Sequence, residues 1–357
     1  MTVEPHKPEI LITMSMSQSQ IERLKGYGKV RQAGWGLTGV RLGEDELCRL
    51  IRDTDVFLVG YENVTRKVIQ SAVRLGLIGV SRSNPVNVDI EAANEQNIPV
   101  LHAPGRNAIA AAEFTIGLMI CQARHIDLGD RCLRTGEYLG TPMADLYVEN
   151  PSNDVVWDLD GVSPYMQLRG VELAGRTLGL IGLGNVASRV AKLAQAFGMK
   201  VITHTPLRDL ERAKELSIPI VPLQQLLNEA DFISVHCNVN SDTHSVIDAW
   251  AFSQIKPSAY LINTARASII DQAALVEALK QKRIAGAAFD VFWYESLPSN
   301  HPLLAFENVT LTPHLAGSAH EVPERHSRML ADDVIAWLED RPPMNVFNKE
   351  FLLSRSG

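Results

Sequence analysis

What this 357-residue chain lacks narrows what it can be. Its four cysteines, Cys48, Cys121, Cys132 and Cys237, are scattered with no CxxC pair. That argues against a disulfide framework or a cysteine metal knot, and a reducing, cytoplasmic setting is the expectation. There is no HExxH, and His314, His320 and His326 recur every six residues, a spacing that does not share one helical face. No metal is therefore expected. No run is long and apolar enough to span a bilayer. The opening MTVEPHKPEILITM carries acids and prolines where a secretory leader needs basic then apolar residues. Positive charge is not in excess, since 34 Lys and Arg face 41 Asp and Glu, for a net charge of −7. Neither nucleic acid nor an anionic membrane has an electrostatic reason to bind.

What is present is ordinary for a globular protein: 46% apolar and 21% charged residues, in a length that suggests about two domains. Short β-branched runs alternate with amphipathic stretches from end to end. Candidate strands lie at 10–13, 56–59, 77–80, 100–102, 177–181, 200–203, 218–221, 232–236, 260–263, 286–289 and 309–312. Candidate helices include 108–123, 223–229, 271–282 and 320–339. Strand–helix alternation of this kind predicts an α/β protein with two doubly wound parallel sheets. The break His102-Ala103-Pro104-Gly105 and the stop at Thr312-Pro313-His314 suggest boundaries. The reading is a first domain made of 1–105 and 316–357, and a second of 106–315. The final helix has no strand after it and is expected to return to the first domain.

The segment 177–203 carries the strongest local signal. An apolar strand breaks into Gly182-Leu183-Gly184-Asn185-Val186-Ala187, continues as a helix, and a second strand follows Gly198. Gly182 permits the tight turn, Gly184 lets a pyrophosphate approach the backbone, and the helix N-terminus offers N–H groups and positive dipole. Ala187 stands in the third glycine position and still packs closely. A bare GxGxxG is weak, but inside a βαβ unit it points to a dinucleotide.

Three ionisable residues follow later strands: Arg266 after YLINTA, Glu295 after GAAFDVF, and His314 at the end of VTLTP. Ligands of parallel sheets bind beyond the carboxyl ends of strands. Arginine forks onto a carboxylate, histidine moves a proton near neutral pH, and a glutamate beside it orients it. Taken singly, each is more simply a surface cation, a loop carboxylate and a strand-capping histidine. Their joint placement after a nucleotide fold favours chemistry.

These segments resemble the D-isomer-specific 2-hydroxyacid dehydrogenases, over nearly the whole chain. LINTARASIIDQAALVEAL resembles the family's arginine segment, GAAFDVFWYES its Asp–Val–Phe…Glu segment, and TPHLAGSAHE its histidine motif. DIEAANEQNIPVLHAPGRNAIAAAEFTIGL resembles the segment joining the two domains. The resemblance implies a flavodoxin-like substrate domain beside a Rossmann cofactor domain, a homodimer, and hydride transfer between NAD(P)H and a 2-keto acid. Arg266 would bind the substrate carboxylate and polarise the keto oxygen. His314 would protonate that oxygen, and Glu295 would pair with His314 and keep it protonated. Asp290 would hold the nicotinamide carboxamide. Gly182, Gly184, Asn185 and Val186 would lie under the pyrophosphate, with Ser83, Cys237, Thr264, Ala265 and Gly317 lining the rest of the cofactor site. Cys237 is read as lining rather than as a reactive thiol.

The chain also departs from the family pattern. The small, glycine-rich substrate loop becomes Ser81-Arg82-Ser83-Asn84-Pro85, so Arg82, Ser83 and Asn84 are the expected substrate contacts. Arg82 adds a cation suited to a phosphorylated, dicarboxylic or sugar-derived acid; otherwise it turns outward or pairs with a carboxylate such as Glu62. Arg106 raises the same question. Thr205 stands where an acid usually binds the ribose 2′-hydroxyl, and Arg208 follows, so the cofactor is NAD or NADP, with NADP or dual use favoured. Ala267 replaces the glycine after the arginine. The excursion 140–168 is longer than usual, which suggests a modified dimer contact, and the loop from Glu295 to His314 is shorter. Retention of Glu295 argues against formate dehydrogenase. The alternative of another class is a cofactor-sensing corepressor-like scaffold on the same fold.

Overall fold

The computed structural model describes residues 7–139, 142, 163–206 and 209–349. The chain divides into two compact units, Met1–Asn107 with Ala319–Gly357, and Ala108–Ser318.

In the first unit the elements are β1 (Glu9–Ile12), α1 (Gln18–Lys25), β2 (Lys29–Gln32), α2 (Trp35–Thr38), α3 (Glu44–Ile51), β3 (Val56–Val59), α4 (Arg66–Ser71), β4 (Leu77–Val80), α5 (Ile90–Glu95) and β5 (Val100–Leu101). The second unit holds α6 (Ala108–Arg124), α7 (Ile126–Thr135), α8 (Pro164–Gln167), β6 (Thr177–Ile181), α9 (Asn185–Ala196), β7 (Lys200–His204), α10 (Leu210–Glu215), α11 (Leu223–Glu229), β8 (Phe232–Val235), α12 (Ala249–Gln254), β9 (Tyr260–Asn263), α13 (Gln272–Lys280), β10 (Gly286–Phe289) and β11 (Val309–Leu311). The chain then returns to the first unit with α14 (Glu321–Leu338).

The first sheet is parallel, in the order β2-β1-β3-β4-β5, the flavodoxin-like arrangement. Every residue of β3 and β4 is buried, as expected for strands covered on both faces. One face packs α3, α4 and α5 through Leu47, Val68, Ile69 and Ala92. The other packs α1 and α14 through Ile21, Leu24, Leu330 and Val334. The edge strand β2 went unread in the sequence. Its KVRQ is polar and solvated except for partly buried Val30, so it has neither an apolar run nor clean alternation to betray it.

The second sheet is also parallel, ordered β11-β10-β9-β8-β6-β7. The expected strand at 218–221 is a correction: only Ile220 forms a bridge, to Thr203 of β7. Thr203 N–H donates to Pro219 O at 3.0 Å and Val221 N–H to Thr203 O at 2.8 Å. Pro219 has no N–H to extend the ladder, and Pro222 opens the next helix. This one-bridge remnant flanks β7, where the dinucleotide fold usually carries its outermost strand. Two cores cover the two faces, one around Leu227, Phe252 and Phe289, the other around Met119, Leu180 and Val190. No helix among the described residues is long and apolar enough to cross a membrane.

Candidate active site

In the second unit, β9, β10 and β11 are neighbours, and each delivers one element of the site at its carboxyl end. After β9 the backbone turns sharply, clamped by wholly buried Asn263. The Asn263 side chain accepts from Ala265 N–H at 3.0 Å and donates to Arg266 O at 2.9 Å. Arg266 is thereby presented to solvent, with only its Nη1 used internally, on Ala265 O at 2.6 Å. Thr264 shares a 2.9 Å hydroxyl contact with Thr115 of α6. Asn263 escaped the sequence reading because an amide ending an apolar strand looks like an ordinary terminator.

After β11 comes His314, whose φ of 57° lies in the left-handed region that few side chains favour. A buried carboxylate at the end of β10 holds the backbone there. Asp290, fully buried, accepts from Thr312 Oγ1 and Leu315 N–H through Oδ1 and from Ala316 N–H through Oδ2, each at 2.7 Å. The oxygens expected to face a nicotinamide amide are thus directed at the loop on both sides of His314. From the same strand end, Glu295 Oε2 meets His314 Nδ1 at 2.6 Å. A carboxylate only accepts, so Nδ1 carries the proton and Nε2 is left to act outward. The side chains are about half exposed, 48% for His314 and 42% for Glu295. The structure brings Glu295, His314 and Asp290 together, and places Arg266 two strands away without direct contact.

The glycine turn lies in the same unit. Gly182 has φ of 93°, and a Cβ there would come within 2.9 Å of Cys237 N and 3.0 Å of the His236 carbonyl carbon. A glycine is required both by conformation and by the close approach of the β8 end. Over Gly184, by contrast, no atom of the described residues lies within 4 Å of an added Cβ. Helix α9 starts there with no side-chain cap and no acid in its first turn, whereas α12 and α13 are capped by Asp248 and Asp271. Asn185 is exposed and Val186 partly so, while Ala187 is fully buried against the sheet. Open backbone N–H groups at a helix start suit a pyrophosphate. Cys237 is half-buried, and burial pushes its thiol up to about 11, so it lines the turn as a neutral thiol. Gly317 sits partly buried in the loop after His314.

At the end of β7, Thr205 is buried and its hydroxyl donates to Asp209 Oδ2. Arg212 donates to Leu183 O of the glycine turn at 2.8 Å and lies 4.0 Å from Asp209. Asp209 was missed because it stands four residues beyond the strand-end position where an acid is sought. Arg208, and the excursion apart from residues 142 and 163–168, lie outside the described residues.

In the first unit, Ser83 and Asn84 are exposed, and Ser83 Oγ donates to Ala103 O at 3.1 Å. His102 Nδ1 donates to Ser83 O at 2.8 Å and fixes the loop from below. Arg82 does not pair with Glu62. That carboxylate is buried and accepts from Thr13 Oγ1 and Trp35 N–H, each at 2.9 Å. Arg82 instead donates from Nε to Gly60 O at 3.2 Å, with its guanidinium 4.8 Å over the Tyr61 ring.

Comparison with known proteins follows the same lines. A sequence model described as "D-isomer specific 2-hydroxyacid dehydrogenase, NAD binding domain" matches residues 116–316. The chain is 33% identical over 350 residues to a glyoxylate reductase of Aeropyrum pernix, covering 98% of each. Among solved structures, a protein from Thermus thermophilus superposes with a TM-score of 0.76 at 30% identity, over 95% of this chain and 99% of that one. An NADPH-dependent glyoxylate/hydroxypyruvate reductase from Sinorhizobium meliloti, in complex with NADP and malonate, gives 0.71 at 25% identity, over 95% and 96%. None of these comparisons lends support to a corepressor-like scaffold.

Proposed function

The chain belongs to the D-isomer specific 2-hydroxyacid dehydrogenase family, and from that premise we propose the roles its residues play in the reaction. It is an NAD(P)-dependent oxidoreductase interconverting a 2-keto acid and a D-2-hydroxy acid. A nicotinamide, when bound, would supply hydride to the keto carbon or accept it in reverse.

Arg266 binds the substrate carboxylate with the N–H groups it does not spend on Ala265 and draws electron density towards the keto oxygen. His314 gives its Nε2 proton to that oxygen as the hydroxyl forms, leaving neutral imidazole with Nδ1–H on Glu295. Glu295 holds the ring and balances the imidazolium before the transfer. Asp290 acts as a positioning residue for the His314 loop. The open start of α9, with Gly182, Gly184, Asn185 and Val186, would hold the pyrophosphate, and Thr264, Ala265, Cys237, Ser83 and Gly317 would line the remaining cofactor contacts. Arg82, Ser83 and Asn84 recognise substrate. The observation that carries this reading is the 2.6 Å contact of His314 Nδ1 with Glu295, which leaves Nε2 as the proton donor.

Between the two dinucleotides, Thr205 in place of an acid favours the 2′-phosphorylated form, while Asp209 returns a carboxylate to Thr205's side. We infer use of both cofactors, with Arg212, 4.0 Å from Asp209, as the cation that would meet a 2′-phosphate. A homodimer in the cytoplasm is part of the same proposal, supported by the four free cysteines and the family resemblance. The test is oxidation of NADH and of NADPH with a panel of 2-keto acids. Turnover lost in His314→Ala and in Arg266→Ala is the expected result; undiminished turnover in both variants overturns the mechanism.

A further inference from the structure

At the carboxyl ends of β1, β3, β4 and β5, the first unit gathers cations that pair with no acid among the described residues. Arg106, in the turn after β5, is half-buried, and burial pulls its guanidinium below the usual arginine range. The partner of its Nη1 is His326 Nδ1 of α14, at 3.3 Å. The other nitrogen of that ring, Nε2, faces Ser15 O at 2.8 Å. A carbonyl only accepts and a guanidinium only donates, so both neighbours demand the neutral ring protonated on Nε2. Burial agrees, holding His326 at about 4. His326 therefore fixes Arg106 without discharging it. Arg325 adds a cation to the same turn, its Nη1 donating to Arg106 O at 2.6 Å.

Arg82 faces the same lack. Its Nε is spent on Gly60 O, and its guanidinium lies on the face of Tyr61. On that ring Arg41 also sits, 5.5 Å from the centroid, and Trp35 packs edge-on at 4.8 Å. Among the described residues, none of Arg41, Arg82, Arg106 and Arg325 makes an ion pair. Glu62, the nearby acid, is buried, and its oxygens accept from Thr13 and Trp35 rather than from any of these guanidinium groups. A fold that buries an arginine ordinarily supplies a carboxylate, because an unpaired buried charge is costly. Here the fold supplies an imidazole and an aromatic face, which orient guanidinium groups and leave their charge for something else.

We propose that Arg82 and Arg106, held by Tyr61 and His326, recognise a second acidic group on the substrate. The substrate class is then a 2-keto acid carrying another carboxylate or a phosphate, rather than a singly charged one. This rests on the reaction assigned above and adds which acids it selects. The guanidinium forks match either oxyanion, so the shared chemistry is a planar or tetrahedral anion beyond the keto carbon.

The test compares kcat/KM for glyoxylate and pyruvate with those for oxaloacetate and 3-phosphohydroxypyruvate, in the full chain with NADH and with NADPH. The wild type is expected to favour at least one doubly acidic substrate by tenfold or more. Preference for oxaloacetate alone assigns a carboxylate, and for the phosphorylated acid alone a phosphate. In Arg82→Gln and Arg106→Gln the ratio of doubly to singly acidic kcat/KM should fall about tenfold, with partial recovery in Arg106→Lys. A loss of fold would lower both substrates together and leave that ratio in place. A wild-type ratio near one, or a ratio unmoved by either variant, overturns the proposal. A second readout is the thermal midpoint with tartronate against glycolate. A tartronate-specific rise that disappears in the two variants, with no keto acid reduced, would keep the anion site and remove the reductase reading. No such rise in a wild type that reduces only singly charged acids overturns the anion site alone.

Discussion

His314 Nδ1 and Glu295 Oε2 lie 2.6 Å apart, joining the ends of two adjacent strands. The carboxylate dictates which ring nitrogen carries the proton, and on the proposed mechanism the pair acts as one acid–base unit. Glu295→Gln preserves the shape but removes the charge that balances the imidazolium. The expected result is a fall in kcat for keto-acid reduction of about 10²-fold, with cofactor affinity unchanged. A steady-state assay alongside a cofactor titration checks both halves, and an unchanged kcat would remove Glu295 from the mechanism.

Asp290 has another role: its carboxylate holds Thr312, Leu315 and Ala316, and thereby the left-handed backbone of His314. Asp290→Ala strands buried donors, and the expected loss is about 3 kcal/mol of stability, from roughly 1–3 kcal/mol per unsatisfied group with partial relaxation. Urea unfolding measures it. Turnover should fall as well, because His314 would lose its fixed position.

Asp209, hydrogen-bonded to Thr205, places negative charge at the end of β7. Asp209→Asn should therefore shift the NADPH-to-NADH affinity ratio towards NADPH by about tenfold, roughly the 1.4 kcal/mol of one like-charge contact. Nicotinamide fluorescence titration reports both dissociation constants without turnover. A ratio that does not move places Asp209 away from the ribose.

His326 gives the first unit an acid limit. Its proton affinity in the folded chain is held at about 4 against an ordinary 6.5, first by burial and then by the Arg106 charge. The unfolded chain thus binds the proton and the folded chain does not between those values. Stability is complete above 6.5 and falls as pH drops towards 4, by up to about 3 kcal/mol at 1.36 kcal/mol per pKa unit. Urea midpoints measured from pH 7.5 to 4 should show this slope, and His326→Gln should flatten it. An equally steep slope in that variant would assign the acid loss to other groups.

Strands β3, β4, β6, β9 and β10 were legible at their observed limits because covered parallel strands are continuous apolar runs. The glycine turn was legible because Gly182 needs a backbone state that other residues resist. The polar edge strand β2 was not, since pairing with β1 makes it a strand and its own residues do not. The remnant at 218–221 failed the opposite way: its apolar residues promised a strand that Pro219 cannot extend.

By itself, the sequence determined the alternation of elements and the residue types at strand ends, because periodicity and glycine chemistry are local. Only the tertiary structure decided how those residues are used. That Asp290 turns into the His314 loop, that Thr205 has an acid beside it, and that Arg106 meets an imidazole rather than a carboxylate all depend on partners far away in the chain or beyond the reach of a motif. Charge balance is a property of neighbours in space, and spacing along a chain does not record it.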